Sequence, residues 1–492
     1  MTPFTHWIRR SLFATGALTL VCLSQASAQS FDLPDMGSSS DAILSTGAES
    51  RLGKAFMRSV RESLPVLDDP LLTSYIESLG RALLAADRDA TGSFTFFVID
   101  EPVVNAFAGP GGYIGVYAGL ILAAETESEL AAVMAHEIAH VTQRHLMRGV
   151  EDQSKLAIPA TALLIAAAIL GAQVSSDAGM AAIAGIQAAA IQRQINFTRD
   201  NEKEADHLGI TTLAQAGYDP YAMAGFFERL ARSSRLYENN APEFLRTHPV
   251  NANRIADALG RAGDFGARQR PDSLRFQLAR AALRERAYSR AEQSVAHFGN
   301  TLREGRHRNE TAERYGYALA LERAGKFAEA QAETTRLLAA HPSLTEFVTL
   351  NARLDLKQGR AEQALKTLKQ AISLSSDNWP LRIAYAEALM SSGKPTQAMS
   401  ELSAVARLRP GNSALYGLLE QSAMRAGNQA ATHRFRAEKL YAEGDLEPAI
   451  RQLEVALRQR DIPYADAAQI QARLETWKEE KSEQKKRGKD RP

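Results

Sequence analysis

Cysteine is nearly absent from the sequence: Cys22 is the single cysteine in 492 residues. It lies in an N-terminal apolar run, after Leu20 and Val21 rather than after the small residue that a lipoprotein cleavage site requires. We expect this run to be removed, which leaves the mature chain without a disulfide, a lipid anchor or a thiol nucleophile. Disulfides are permitted outside the cytoplasm but not required there, so their absence is compatible with export.

The sequence also lacks an excess of charge of either sign. Lys and Arg number 58, and Asp and Glu number 57. Without a basic field the chain has no general attraction for nucleic acid, and we expect no nucleic-acid partner. At 492 residues with 45% apolar side chains, it is long enough for two to four globular domains.

The N-terminus has the layout of a secretory signal peptide. Arg9 and Arg10 precede the apolar run SLFATGALTLVCL, and the small residues of 26–28 follow it. The run is too short for a comfortable membrane span, and we expect cleavage after Ala28 and export to a bacterial periplasm. Residues 29–48 are rich in Ser, Gly and Asp and predict a linker or arm.

Residues 49–265 predict a mostly helical domain with a small sheet. Helical spacing continues from Glu49 to Ala86, with a turn at 68–70 that starts a second helix. SFTFFVID at 93–100 predicts a strand, and a Gly-Pro-Gly-Gly turn at 109–112 predicts a hairpin.

Residues 156–192 form an Ala-rich segment with Asp177 as its only charged residue before Arg193. Each of its two apolar runs is shorter than the roughly 20 residues that a membrane span needs, and Pro159 interrupts the first. We favour a buried or interfacial helical hairpin over two membrane spans. Such a hairpin would serve as a lid, a plug, a contact with the membrane surface or a surface for an envelope partner.

The C-terminal part contains an internal repeat. Gly325, Gly359, Gly393 and Gly427 follow one another at intervals of 34 residues, and an alanine stands five residues after each of the first three. This period resembles the tetratricopeptide repeat, in which small residues let paired helices approach closely. We expect an α-solenoid over 272–475 and a charged, frayed tail over 476–492.

The stretch VMAHEIAHVTQRH contains the pattern His-Glu-x-x-His. His136 and His140 are four residues apart, so they project from one face of a helix and can bind one metal ion. Glu137 lies about 100° round the helix and can act as a general base on a water molecule beside a zinc ion. The expected reaction is peptide-bond hydrolysis.

The pattern needs a third ligand. His145 lies five residues after His140 and, on a continuous helix, about 180° from His136, which predicts a surface or second-layer histidine. Glu202 and Asp206 are four apart on a later helix, so one can bind the metal while the other orients a ligand histidine. The alternative for Glu202 is an ordinary exposed acidic face, which is what we expect for Glu204.

Three segments together resemble one family of metallopeptidases. NAFAGPGGYIGVYAGL, ELAAVMAHEIAHVTQRH and FTRDNEKEAD occur in the order typical of the gluzincins that include HtpX and the CAAX prenyl proteases. The resemblance implies one zinc ion per chain on His136, His140 and Glu202, with Glu137 as the base and Asp206 behind a ligand.

HtpX and the prenyl proteases have clear membrane spans, and this sequence does not. A signal peptide and tetratricopeptide repeats are instead similar to the periplasmic branch of the family, the β-barrel assembly-enhancing proteases. That branch implies unfolded or misassembled outer-membrane proteins as substrates, and the β-barrel assembly machinery as a partner of the repeats.

The resemblance further implies a substrate-binding strand edge formed by Tyr113, Ile114, Gly115 and Val116, where a peptide adds as an extra strand. His248, in RTHPVNANRI, is a candidate fourth ligand that blocks the site, or a stabiliser of the oxyanion. Arg254 is a candidate for the oxyanion role or for supporting a ligand. The alternative for both is a purely structural role.

The main prediction is therefore a periplasmic zinc endopeptidase in outer-membrane protein quality control that also assists β-barrel assembly. One alternative is a chaperone or adaptor that acts through the repeats and has a latent zinc site. The other is an integral-membrane quality-control protease like HtpX, with the Ala-rich segment in the bilayer.

Overall fold

The computed structural model describes residues 46–150, 165, 199–236, 242–460 and 462–489. The predicted signal peptide, the arm up to residue 45 and the Ala-rich segment, apart from Ile165, lie outside the described residues. Within the described ranges, no helix combines the length and the apolar character that crossing a membrane requires.

The described part of the N-terminal half is mostly helical and contains four short strands. In chain order its elements are α1 (Thr46–Ser63), β1 (Val66–Leu67), α2 (Pro70–Ala86), β2 (Thr95–Ile99), β3 (Ala106–Gly109), β4 (Tyr113–Tyr117), α3 (Ala118–Ala123), α4 (Glu127–Thr142), α5 (His145–Val150), α6 (Arg199–Gln215), α7 (Ala222–Leu236), α8 (Glu243–Thr247) and α9 (Ala252–Gly263).

Local sequence signals start the two central helices. The Asp69 carboxylate accepts hydrogen bonds from the amides of Leu71 and Leu72 at 2.9 and 3.1 Å, and Pro70 occupies the first turn of α2. Thr126 caps α4 in the same way by accepting from the Glu129 amide at 3.3 Å. The predicted start of α2 at the 68–70 turn is confirmed.

The sheet has the strand order β1-β2-β4-β3. β4 pairs in parallel with β2 and in antiparallel with β3, and the Gly-Pro-Gly-Gly turn joins β3 to β4 as predicted. Gly112 has φ of 77°, and a Cβ there would lie 2.0 Å from the Ser93 carbonyl oxygen, so only glycine fits this turn.

The strand order corrects the predicted substrate edge at Tyr113, Ile114, Gly115 and Val116. These residues belong to β4, which has a hydrogen-bonded strand on each side and offers no free backbone edge. Among the described residues, β3 pairs with β4 alone and therefore forms an edge of the sheet. This edge strand lies next to α4. A sequence pattern identifies a hairpin but does not say which of its strands joins the larger sheet.

The C-terminal half consists of paired helices. They are α10 (Leu274–Arg286), α11 (Ala291–Glu304), α12 (Glu310–Arg323), α13 (Phe327–Ala340), α14 (Thr345–Lys357), α15 (Ala361–Leu374), α16 (Trp379–Ser391), α17 (Pro395–Leu408), α18 (Ser413–Arg425), α19 (Gln429–Ala442), α20 (Leu446–Leu457) and α21 (Tyr464–Lys489).

The repeat glycines lie at the turns between paired helices. Gly325, Gly359, Gly393 and Gly427 have φ between 71° and 77°, a left-handed conformation that glycine adopts without steric penalty. The alanines at 330, 364 and 398 are fully buried where the helices of a pair meet. The prediction of a tetratricopeptide solenoid is confirmed.

The predicted frayed tail is wrong at its start, because α21 continues to Lys489. The Trp477 ring is 1% exposed and stacks on Tyr441 with ring centroids 4.4 Å apart. Ile470, Leu474 and Trp477 share one face of α21, and that apolar face holds the helix on the last repeat.

The solenoid contacts the N-terminal half at both of its ends. Near its start, the Glu127 carboxylate accepts hydrogen bonds from the Tyr75 hydroxyl at 3.0 Å and from the Ser273 hydroxyl at 2.7 Å. Near its other end, Arg58 on α1 pairs with Asp445. These contacts fix α1, α2 and the start of α4 against the repeats.

Candidate metal centre

Helix α4 runs through the core of the N-terminal half, and every residue from Glu127 to His140 is buried. Its last turns present His136, Glu137 and His140, which are at most 2% exposed. The Nε2 atoms of the two histidines lie 3.0 Å apart, so both rings point at the same place. The four-residue spacing of these two side chains thus places both imidazole rings on one face of α4.

Helix α6 brings a carboxylate to the same place. The Glu202 oxygens lie 3.5 Å from His140 Nε2 and 3.7 Å from His136 Nε2. α6 approaches α4 closely at Gly209, where a Cβ would lie 3.1 Å from the His136 backbone nitrogen. Gly209 follows Asp206 by three residues, so it lies on the same face of α6 as Glu202 and Asp206.

His248 completes the group. It follows α8, is 3% exposed and stacks on Phe244 with centroids 4.9 Å apart. Its Nδ1 lies 3.1 Å from Glu202 Oε1 and 3.3 Å from His136 Nε2, and its Nε2 lies 3.5 Å from Glu137 Oε1. The structure therefore brings this candidate fourth ligand into contact with the predicted ligands and with the predicted base.

Asp206 and Arg254 lie behind the cluster. The Asp206 carboxylate is 3.0 Å from His136 Nδ1, on the side of the ring away from the other ligands. Arg254 binds Asp206 with two nitrogens at 2.7 and 2.8 Å, and its Nη1 lies 2.7 Å from Glu202 Oε2 and 2.8 Å from the Pro249 carbonyl. Arg254 thus holds two carboxylates and the loop after His248, which favours its supporting role over the oxyanion role.

His145 occupies only one of the two positions predicted for it, the second-layer one. It is 1% exposed, so a surface position is excluded, and its Nδ1 lies 2.8 Å from His140 Nδ1. Glu204, expected to be solvated, contacts the other nitrogen of His145 at 3.0 Å. The prediction assumed a continuous helix, but α4 ends at Thr142 and the chain turns before α5.

Burial and neighbouring charges shift the pKa values in the cluster. Burial lowers the pKa of His140 well below its usual value, so its imidazole is neutral. Burial acts to raise the pKa of Glu202, but His248, His136 and Arg254 together lower it to about 2. Burial raises the pKa of Glu137, against the opposing effect of His248 and His136.

These residues fit a bound metal ion. One donor atom from each of His136, His140, Glu202 and His248 lies within 4.8 Å of the other three, and all four residues are buried. The Nδ1 atoms of His136 and His140 face Asp206 and His145, which directs both Nε2 atoms toward the centre. Imidazole nitrogens and carboxylate oxygens are donors that suit a divalent transition metal.

The fold and the site together define a metalloprotease joined to a tetratricopeptide solenoid. Residues 70–262 match peptidase family M48, and residues 355–422 match the tetratricopeptide repeat. Each match lies within the corresponding half of the structure.

Relatives of known name cover almost the whole chain. The "Beta-barrel assembly-enhancing protease" of Escherichia coli (strain K12) is 37% identical over 471 residues, which are 95% of this chain and 96% of that protein. The protein of the same name from Yersinia pestis is 35% identical over 94% of this chain and 96% of its own length. The chain belongs to the family of β-barrel assembly-enhancing proteases.

A more distant relative matches a shorter part of the chain. The "Mitochondrial metalloendopeptidase OMA1" of Arabidopsis thaliana is 30% identical over 189 residues, which are 38% of this chain and 36% of that protein.

Proposed function

We propose that this chain is a periplasmic zinc endopeptidase that degrades misfolded or stalled outer-membrane β-barrel proteins and assists their assembly. The observation that carries the proposal is the convergence of His136, His140 and Glu202 beside the Glu137 carboxylate, with all four side chains buried. The names of the relatives support the link to β-barrel assembly. We propose domain limits of 49–265 for the protease and 272–475 for the solenoid.

His136, His140 and Glu202 would hold the zinc ion. When bound, zinc supplies Lewis acidity that polarises the scissile carbonyl and activates a water molecule. Glu137 takes the proton from the attacking water and passes it to the leaving amine. Its burial supports this role, because a raised pKa makes the carboxylate a stronger base. Asp206 keeps His136 oriented, since the carboxylate faces His136 Nδ1.

His248 is proposed as the group that closes the resting site. Its Nδ1 lies among the ligand atoms and its Nε2 lies beside Glu137, so it stands where a substrate carbonyl would have to enter. This contact also supports the rival reading, a chaperone or adaptor with a latent site. The protease hypothesis predicts that removal of His248 releases activity, whereas the chaperone or adaptor hypothesis predicts that it does not.

The test of this closure is a pair of variants. We expect His248→Ala to raise the cleavage rate of an unfolded β-barrel protein while the zinc content stays the same. Glu137→Gln in the His248→Ala background should abolish the gain. An unchanged rate for His248→Ala would exclude closure by this residue.

The β3 edge is proposed as the substrate-binding strand in place of the β4 residues. The Asn105 carbonyl accepts the Tyr117 amide at 3.1 Å, and the alternation of an antiparallel ladder then directs the backbone groups of Ala106 and Ala108 away from β4. α4 packs against β3, and the backbone N–H of Ala108 acts to lower the pKa of Glu137. A peptide paired with β3 would therefore pass the catalytic base, and pairing through the backbone reads little sequence.

The solenoid is proposed to bind the β-barrel assembly machinery or its unfolded clients. Support comes from the names of the full-length relatives and from the repeat architecture, which offers extended binding surfaces. In-cell crosslinking from exposed solenoid positions tests the partner. Repeated absence of barrel-assembly components among the crosslinked proteins would overturn it.

The localisation is proposed from the sequence layout of residues 1–28 and from the family. Cell fractionation should place the processed chain in the periplasm. Carbonate extraction separates this reading from the membrane alternative: a soluble chain supports a peripheral protease, and retention in the pellet supports spans in the Ala-rich segment.

A further inference from the structure

His145 and Glu204 lie behind His140, on the side of its ring that faces away from the metal cluster. His140 Nε2 points at His136 Nε2, while His140 Nδ1 lies 2.8 Å from His145 Nδ1. His145 Nε2 in turn lies 3.0 Å from Glu204 Oε2. The three side chains form a continuous chain of polar contacts that runs from α6 to the cluster.

The geometry determines where the hydrogens lie. Two ring nitrogens 2.8 Å apart form a hydrogen bond only when one of them carries a hydrogen. A metal ligand needs the lone pair of His140 Nε2, so the hydrogen of the neutral ring is on Nδ1 and is donated to His145 Nδ1. His145 then carries its hydrogen on Nε2 and donates it to the Glu204 carboxylate, which accepts it.

The fold builds this contact through a break in the helix. Arg144 has φ of 52°, a left-handed conformation that is uncommon for a residue with a side chain, and it reverses the chain between α4 and α5. His145 is therefore the first residue of α5 and packs back on the end of α4. Arg148, one turn later, places its Nη1 3.6 Å from Glu204 Oε2 and its Nε 2.8 Å from the Gln143 carbonyl.

The two ligand histidines thus receive different support. Asp206 faces His136 Nδ1 directly at 3.0 Å, and Arg254 fixes that carboxylate from behind. His140 is linked to the Glu204 carboxylate through the His145 imidazole, and Arg148 lies beside that carboxylate. Partners of this kind fix the tautomer and orientation of a ligand and increase its basicity, and their loss typically weakens metal binding by about 10–100-fold.

We propose that His145 and Glu204 are positioning residues for His140. They hold the His140 ring in the orientation and tautomer that present Nε2 to the zinc ion, and His145 is itself not a ligand. This inference rests on the metal-binding role proposed above for His140.

The test measures zinc affinity and ligand geometry as well as activity. His145→Phe fills the site but removes both hydrogen bonds, whereas His145→Gln keeps one acceptor for His140 and one donor for Glu204. Glu204→Ala removes the carboxylate at the end of this series of contacts. The Glu204 side chain is 40% exposed, so this variant is expected to fold. His207→Gln, at an exposed position on the same helix, is the matched control.

The zinc dissociation constant is measured by competition with a chromophoric chelator, and the absorption spectrum is measured on the cobalt-substituted protein. We expect His145→Phe and Glu204→Ala to weaken zinc binding by about 10–100-fold and to alter the cobalt spectrum. His145→Gln should recover most of the affinity. In zinc-saturated protein the loss of activity should fall on kcat rather than on KM, because the substrate contacts are unchanged.

The outcomes separate this inference from the proposed function. If wild type binds zinc tightly, Glu202→Ala loses it, and both His145→Phe and Glu204→Ala bind as wild type does, the inference is overturned and the metal site stands. If wild type binds no zinc, both are overturned. Equal weakening in His145→Gln and His145→Phe would show that restoring the acceptor and the donor does not restore zinc binding, and this too would overturn the positioning role.

Discussion

At the residue scale, the ion pairs of Arg254 are the part of the site that depends most on balanced charge. Arg254 is 3% exposed and contacts the carboxylates of both Glu202 and Asp206. Two buried carboxylates without this guanidinium would be left close together and poorly compensated. The network therefore links the stability of the fold to the geometry of the ligands.

Arg254→Met tests this link. We expect the free energy of unfolding of the metal-free protein to fall by about 3–5 kcal/mol, the usual consequence of removing one partner from a buried ion pair. Arg254→Lys keeps the charge but not the two-nitrogen contact, so it should lie in between. The measurement is chemical denaturation in the presence of a chelator.

The double variant Arg254→Met with Asp206→Asn is the control. It removes one of the uncompensated carboxylates, and it should be less destabilised than the sum of the two single variants. Simple additivity would contradict a shared network.

The chemistry-bearing residues could be predicted from spacing, and their supporting contacts could not. His-Glu-x-x-His defines one helical face, spacing offers Glu202 and Asp206 as the third donor, and the family resemblance implies Glu202. The role of His145 depends on the left-handed Arg144, which sequence periodicity does not reveal. The contacts of Arg254 depend on how α9 packs against α6.

At the element scale, the site depends on how closely α6 approaches α4. A Cβ at Gly209 would lie 3.1 Å from the His136 backbone nitrogen and 3.2 Å from its Cα. Because the contact is with backbone, the helices themselves would have to separate. Glu202 and Asp206 would then move away from the histidines.

Gly209→Ala is compared with Gly225→Ala on α7, where a Cβ would meet nothing within 4 Å. Both changes increase helix propensity by about 1 kcal/mol, so they differ in steric effect alone. We expect Gly225→Ala to leave zinc affinity unchanged and Gly209→Ala to weaken it. Equal zinc affinities in the two variants would contradict the importance of this close approach.

The β3 edge makes a second prediction at this scale. A substrate that pairs with β3 presents the backbone N–H of every second residue to the strand. Single N-methylation along a cleaved peptide should therefore block cleavage at alternate positions, while the intervening positions are tolerated. Peptide cleavage assays check this, and loss of activity without a period of two would argue against strand addition.

The sheet shows what a sequence can and cannot predict about an element. Strands β2, β3 and β4 and the glycine turn were expected at nearly their observed positions. The edge was assigned to β4 instead of β3, because the parallel pairing of β2 with β4 is a long-range contact. The start of the tail predicted over 476–492 is likewise incorrect, since the charged residues there obscure the apolar face that Trp477 shares with Leu474.

At the scale of the whole molecule, the Glu127 carboxylate joins the protease to the solenoid. Its oxygens accept from the Tyr75 hydroxyl and from both the amide and the hydroxyl of Ser273. Glu127 is also the first residue of α4, the helix that carries the two ligand histidines. The solenoid is therefore attached directly to the catalytic helix.

Glu127→Ala should loosen this attachment. Donors buried without an acceptor cost about 1–3 kcal/mol each, so we expect a lower free energy of unfolding and faster tryptic cleavage after Arg268 in the connection. The matched control is Glu438→Ala, which removes a carboxylate that pairs with Arg473 inside the solenoid. Equal cleavage of the connection in the two variants would contradict the proposed attachment.

The central claim is that His136, His140 and Glu202 hold a zinc ion beside the base Glu137. The most direct test measures zinc content and cleavage of an unfolded β-barrel protein in the same preparations, with and without His248→Ala. We predict that Glu137→Gln keeps about one zinc per chain but cleaves about 10²–10⁴-fold more slowly, whereas Glu202→Ala loses both zinc and activity. Cleavage by Glu137→Gln at the wild-type rate, or wild-type activity that persists without zinc, would contradict the account.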